Sequence, residues 1–266
     1  MIKSETEKQL PSAAAQVGII CKHELRKLLR SKRAIGVIVL AVLGSIALAS
    51  FMTAFLSLNE MVPLLSFSLL FTPVMLIITA ALVGSDAILV EFHEKTGFSL
   101  FPNPVSRSAI WLGKFLAAEI VMSLVTGTYF GIVTGTALVQ FQDVRAAFLI
   151  IPALFSLVLG TMLMSIAFLV SSAFRGPLGA TITVLFSLAV LPVVDMALAG
   201  NDINPWFMPY SAANNIYTTL ALLQGDLVIG EEFNRAIPVA VSLSVVVAYI
   251  VGFSAASIHI FKGRDM

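Results

Sequence analysis

Residues 34–58 read AIGVIVLAVLGSIALASFMTAFLSL, twenty-five positions without one charge. A helix rises ~1.5 Å per residue, so a run of this length exceeds the ~30 Å hydrocarbon core of a bilayer. The residues before it are mainly polar or basic. A removable signal would instead carry its apolar stretch near the start, followed by a small-residue cleavage site. The run is therefore read as a span that stays.

Moving outward, apolar segments recur at 61–90, 110–139, 146–174, 178–198 and 236–261, which makes six spans with the first. Pro63, Pro73, Pro152 and Pro192 lie within these runs or at their ends. In lipid such prolines are tolerated, because neighbouring groups satisfy the freed carbonyls. The runs are continuous rather than alternating and too long for barrel strands. Composition agrees: 58% of the chain is hydrophobic, 12% is charged, and the mean hydropathy is +0.97. A soluble domain carries roughly 25% charged residues, so an ordinary water-soluble enzyme and a disordered chain are both excluded. Sixteen Lys and Arg against 15 Asp and Glu leave no basic field for nucleic acid. The lone Cys21 cannot form an internal disulfide. The expected fold is an all-α integral membrane protein, one transmembrane domain over residues 1–266.

Orientation follows from loop charge. With a cytoplasmic N-terminus, fourteen of the 16 basic residues fall inside and only Arg145 and Arg235 outside. Both termini are thus expected in the cytoplasm, in a multi-pass protein of the cytoplasmic membrane.

Three segments outside the spans carry information. In 16–33, QVGIICKHELRKLLRSKR, Val17, Cys21, Leu25 and Leu28 share one helical face. Lys22, Arg26, Lys27, Arg30 and Arg33 gather largely on the other. This predicts a basic amphipathic helix over about 12–33, lying along the inner surface with its cations toward anionic lipid headgroups. The inner loop 91–109 interleaves Phe92, Phe98, Leu100, Phe101 and Val105 with charges, then turns at Pro102-Asn103-Pro104. That mixture suggests a short helix whose apolar side docks on something outside the membrane; a solvated connector is the plainer alternative. In the outer segment 199–235, Asn204-Pro205-Trp206 suits an interfacial turn, and Ser211 is expected to cap a helix ending near Gln224. Its acidic residues, Asp202, Asp226, Glu231 and Glu232, leave room for an extracytoplasmic partner, but such loops are also what charge asymmetry leaves behind.

The inner loop resembles that of permease subunits of ABC transporters of the type-2 exporter class. Glu91, Thr96, Leu100, Pro104-Val105-Ser106-Arg107 and Gly113-Lys114 follow the order and spacing of that family; Lys95 stands where a Gly is common. The run His23 to Arg33 is similar to the family's N-terminal elbow helix, and Phe261-Lys262-Gly263-Arg264-Asp265-Met266 to its C-terminal tail. The resemblance implies that 91–109 is a coupling helix seated in a groove of a separate ATPase. Glu91 would act beside the hinge, Phe98, Leu100 and Phe101 would supply the packing surface, and Thr96, Pro104 and Arg107 would complete the ATPase-coupling set. It further implies a pair of permeases, taken as a homodimer, above two copies of the ATPase, which bind the ATP and Mg. This chain itself is expected to hold no cofactor or metal and to have no catalytic residues.

Ionisable residues inside spans are costly and are functional candidates by default. They are Asp86, Glu119 and Asp195. Asp86 and Glu119 are read as close to the inner interface, each able to pair with a base of the elbow helix, and Asp195 as near the outer end. Motifs for catalysis are lacking in the sequence. Gly113-Lys114 is followed by Phe115, and position 108 is Ser, so no phosphate-cradling loop is formed. His93-Glu94 lacks the second His of a zinc-protease helix, at position 97. The expected function is an ATP-driven permease, acting as an exporter. The alternatives are an ion-coupled secondary transporter or channel using Asp86, Glu119 or Asp195, and a non-transporting membrane partner of an ATPase.

The orientation has a direct test in a Cys21→Ser background. A cysteine placed at Arg145 should react with a membrane-impermeant maleimide in intact cells, and one at Lys262 only after permeabilisation. The reverse pattern would invert the topology.

Overall fold

The computed structural model describes residues 12–55, 61–85, 87–89, 106–140, 147–174, 176–201, 205–212 and 238–263. Among them there is helix and turn and no strand. The helices are α1 (Ala13–Leu29), α2 (Lys32–Phe55), α3 (Met61–Thr79), α4 (Arg107–Gln140), α5 (Ala147–Ala173), α6 (Pro177–Ala199) and α7 (Val239–Gly263). Five of them, α2 and α4 to α7, are long and apolar enough to cross a membrane. The sixth expected span is α3, continued by a π-helical turn over Ala80–Gly84.

Hydrocarbon offers the backbone no water, which favours long helices here, and the polar side chains follow the same rule. Hydroxyls fold back onto carbonyls of their own helix: Ser45 onto Ala41, Thr72 onto Ser68, Thr134 onto Phe130, Ser156 onto Pro152. Pro73, Pro152 and Pro192 sit inside α3, α5 and α6 without ending them.

The bundle is built around the antiparallel pair α4 and α5, which contacts every other described helix between its two members. Trp111 and Phe115 stack at 4.9 Å between ring centroids, and both meet Phe168 of α5 edge-on at 5.5 and 5.1 Å. The Trp111 indole N–H donates to Ser257 Oγ of α7 at 2.8 Å, and Ser257 donates on to the Phe168 carbonyl at 3.0 Å. One aromatic knot thereby joins three spans. By contrast α6 and α7 leave most of their apolar surface uncovered.

Two features of the expected layout are corrected. The elbow is not one helix to residue 33: α1 stops at Leu29, the chain bends at Arg30 and Ser31, and Lys32 and Arg33 open α2. Ser31 makes the restart, its hydroxyl accepting from Ala34 N at 3.1 Å. The second span is not a plain helix either. At its π turn, a Cβ on Gly84 would lie 2.7 Å from both Ala167 Cβ and Met164 Sδ of α5, so this close approach requires glycine.

The face of α1 is as expected, with Val17, Cys21, Leu25 and Leu28 half-buried and Lys22, Arg26, Lys27 and Arg30 exposed. The apolar side lies along α4, the most extensive helix contact in the described structure, so the helix rests on protein while its cations stay exposed. A Cβ on Gly113 would come within 2.7 Å of Ile20 Cβ and 3.1 Å of the Val17 carbonyl. Burial pushes the Cys21 thiol above its ordinary pKa, in keeping with an apolar packing position rather than a nucleophile.

Gly113→Ala is therefore expected to overpack α1 against α4 and lower stability by about 1–3 kcal/mol. Gly36→Ala, whose Cβ meets nothing within 4 Å, should be neutral or slightly stabilising. Thermal melts in detergent, with proteolysis of α1 as a second readout, would separate the two.

Candidate functional site

The expected coupling loop spans 91–109, and Glu91, Thr96, Phe98, Leu100, Phe101 and Pro104 lie outside the described residues, as does Asp86. The frame that holds the loop's two ends is described. On the entering side, the π turn of Ala80–Gly84 leads to buried Ile88 and Leu89. The Ile88 N–H donates to Ser171 Oγ of α5 at 3.2 Å, and the Ser85 and Thr181 hydroxyls meet at 2.8 Å, fixing this exit to α5 and α6. On the returning side, Ser106 caps α4, its Oγ accepting from Ala109 N at 3.2 Å.

Arg107, read from sequence as part of the loop, is the first residue of α4. Its Nη1 donates to the Lys262 carbonyl at 2.7 Å, a cation on the exposed carbonyls that end α7. The start of α4 and the end of α7 thus stand at one end of the bundle. Arg26, Lys27, Arg30, Lys32 and Arg33, on α1 and the α2 start, are exposed.

One ion pair braces this end. Lys114 Nζ lies 3.0 Å from Glu24 Oε1, with the two side chains 3% and 12% exposed. Sequence reading put an acid of the spans, Asp86 or Glu119, against a base of the elbow; this pair is a different one, with the elbow supplying the acid and α4 the base. The signal was present in the i+3/i+4 register, since Glu24 falls on the half-buried face with Cys21 and Leu28. Its charge hid it there.

Glu119 is also placed differently. Its Oε2 accepts from Thr161 Oγ1 at 3.1 Å, and Oε1 is buried with no hydrogen-bond partner. Thr161 stands mid-way along α5 (Ala147–Ala173), about 20 Å from either end. Glu119 stands about 18 Å along α4 from Arg107, and its described partner is a hydroxyl rather than an elbow base.

Asp195 is 5% exposed near the end of α6, and its Oδ1 is likewise unpartnered. Ser211 hydrogen-bonds to this carboxylate, and the Tyr210 phenol is held protonated above its ordinary range, first by burial and then by the Asp195 charge. Both belong to a short helical turn over 209–212, which Ser211 enters as an internal residue and not as its cap. The remainder of the expected outer helix, to Gln224, lies outside the described residues.

Long apolar helices wrapped on an α4–α5 core define a multi-pass membrane protein. The sequence matches the family described as ABC-2 family transporter protein over residues 19–266, and the chain belongs to that family. This identifies it as a permease-type membrane component of an ABC transporter, a family that associates with an ABC ATPase. No curated protein matches the chain significantly.

Lys114→Ala would strand the Glu24 carboxylate under α1 and should cost about 3 kcal/mol. Replacing both with apolar residues, Glu24→Leu with Lys114→Met, should recover most of that loss. A double-mutant cycle of thermal stability checks this, and additive single effects would show that the two groups do not interact.

Proposed function

We propose that the chain is the permease subunit of an ATP-driven exporter in the cytoplasmic membrane, with both termini in the cytoplasm. Two copies pair as a homodimer, and two separate ATPase chains, which bind the ATP and Mg, dock beneath them. Loop 91–109 is the coupling helix. Glu91 acts at its hinge, Phe98, Leu100 and Phe101 fill the ATPase groove, and Thr96, Pro104 and Arg107 set the turn back into α4. The observation that carries this reading is the family match over nearly the whole chain, including the loop. The braced frame gives it a physical basis. A loop clamped at Ser171, Thr181 and Lys262 passes a push from below into α4, α5, α6 and α7 together. ATP binding then closes the motor subunits and reorients the spans along the permease–permease interface.

A second reading, ion-coupled transport, draws on the carboxylate of Glu119 within α4. Collapse of ion gradients would stop such a carrier and spare an ATP-driven one.

Phe98→Asp in the packing surface should weaken ATPase recovery with the chain by about 30-fold or more, the loss typical of a central apolar anchor. Glu91→Ala should uncouple ATP hydrolysis from transport while leaving the spans folded. Full ATP-linked activity in both variants would remove the loop from its assigned role.

A further inference from the structure

We propose that Glu119 and Thr161 form a recognition point for the primary ammonium group of an amphiphile dissolved in the bilayer. The starting point is an incomplete set of hydrogen bonds. A threonine hydroxyl has one proton to give. That of Thr161 lies 2.9 Å from the Leu157 carbonyl and 3.1 Å from Glu119 Oε2, so one donor serves two acceptors. Oε1 has no partner at all. A buried carboxyl so poorly supplied either takes up a proton or meets a donor from outside the described structure, and a cationic donor is what keeps it ionised.

The surroundings select the donor's chemistry. The nearest base along α4, Lys114, lies one and a half turns below and is engaged with Glu24 of α1. Ser123, one turn above, gives its hydroxyl proton to the Glu119 carbonyl at 2.8 Å, leaving its oxygen able only to accept. The local set is thus rich in acceptors. A primary ammonium, with three donors and one charge, complements it. A bare Ca²⁺ or Mg²⁺ ion would need six or more oxygens, against the one carboxyl and two hydroxyls of Glu119, Thr161 and Ser123.

The flank selects an amphiphile. On the α4 wheel, Glu119 stands at the border of an exposed arc formed by Leu112, Leu116, Ile120 and Leu124, 39–45% exposed. Across the α4–α5 seam, Leu154 of α5 is 57% exposed. A hydrocarbon chain along these side chains would keep its contact with lipid, while rotation about the last side-chain bond of Glu119 turns the free oxygen to the amine. This inference does not depend on the ATP-driven reading.

The test uses the full chain in phosphatidylcholine nanodiscs without any ATPase, so the two readings fail separately. The probe is a dansyl-tagged twelve-carbon primary amine, compared with its neutral N-acetyl derivative. Wild type should prefer the amine by about tenfold or more, the scale of a charge-assisted hydrogen bond. Glu119→Gln should abolish that preference, Glu119→Asp keep part of it, and Thr161→Val reduce it several-fold, with amide binding unchanged in all three. Displacement of the probe by phosphatidylethanolamine in the disc would identify a lipid headgroup as the source of the amine; no displacement would identify a free amine. Equal binding of amine and amide by wild type, or an unchanged preference in Glu119→Gln, overturns the proposal. Should Glu119→Gln fail to give monodisperse protein, the wild-type amine-to-amide ratio and Thr161→Val decide.

Discussion

Inside a bilayer every polar group must find its partner within the protein, and that constraint organises this molecule from the backbone outward. It makes the spans helical and turns their hydroxyls back on their own carbonyls. The same constraint draws the Trp111 N–H, the Ser257 hydroxyl and the Phe168 carbonyl into one chain across α4, α7 and α5. Exceptions then become conspicuous. Among the described residues only Glu119 Oε1, Thr126 Oγ1 and Asp195 Oδ1 are buried side-chain atoms without a partner. Two of the three are carboxylates in spans, where an unmet group is most costly.

The elbow converts surface chemistry into architecture. A basic amphipathic helix ordinarily rests its apolar face on lipid. Here Gly113 lets α1 approach α4 closely, and Glu24 reaches a nearly buried Lys114, so α1 serves as a strut along the first turns of α4. Because α4 also begins at the return of loop 91–109 and caps α7 through Arg107, a displacement of the loop meets a stiffened end rather than a frayed one. In the ATP-driven reading, this is the part that must carry force.

Much of the fold was legible because hydrophobic run length is a strong signal. The spans at 110–139, 146–174 and 178–198 fall within one to three residues of α4, α5 and α6. The half-buried face of α1 was legible for the same reason, through its period. Less was readable where the outcome rests on tertiary register. The π turn at Ala80–Gly84 carries no mark beyond a glycine that fits against Ala167, and the partner of Glu119 is set by which residue of α5 comes opposite it. The expected partner of Glu119 was a base of the elbow; the α4–α5 register supplies Thr161. Ser211 shows the limit of local rules, since its hydroxyl meets Asp195 of the preceding helix, α6.

The central claim is that this permease works with a separate ATPase. Affinity purification of the tagged chain from its native membranes in mild detergent, with mass spectrometry and an ATPase assay on the eluate, tests it most directly. The account predicts a stoichiometric nucleotide-binding soluble subunit and measurable ATP hydrolysis. A chain recovered alone from several detergents, with no ATPase activity, would contradict it and turn attention to Glu119 as the coupling group of an ion-driven carrier.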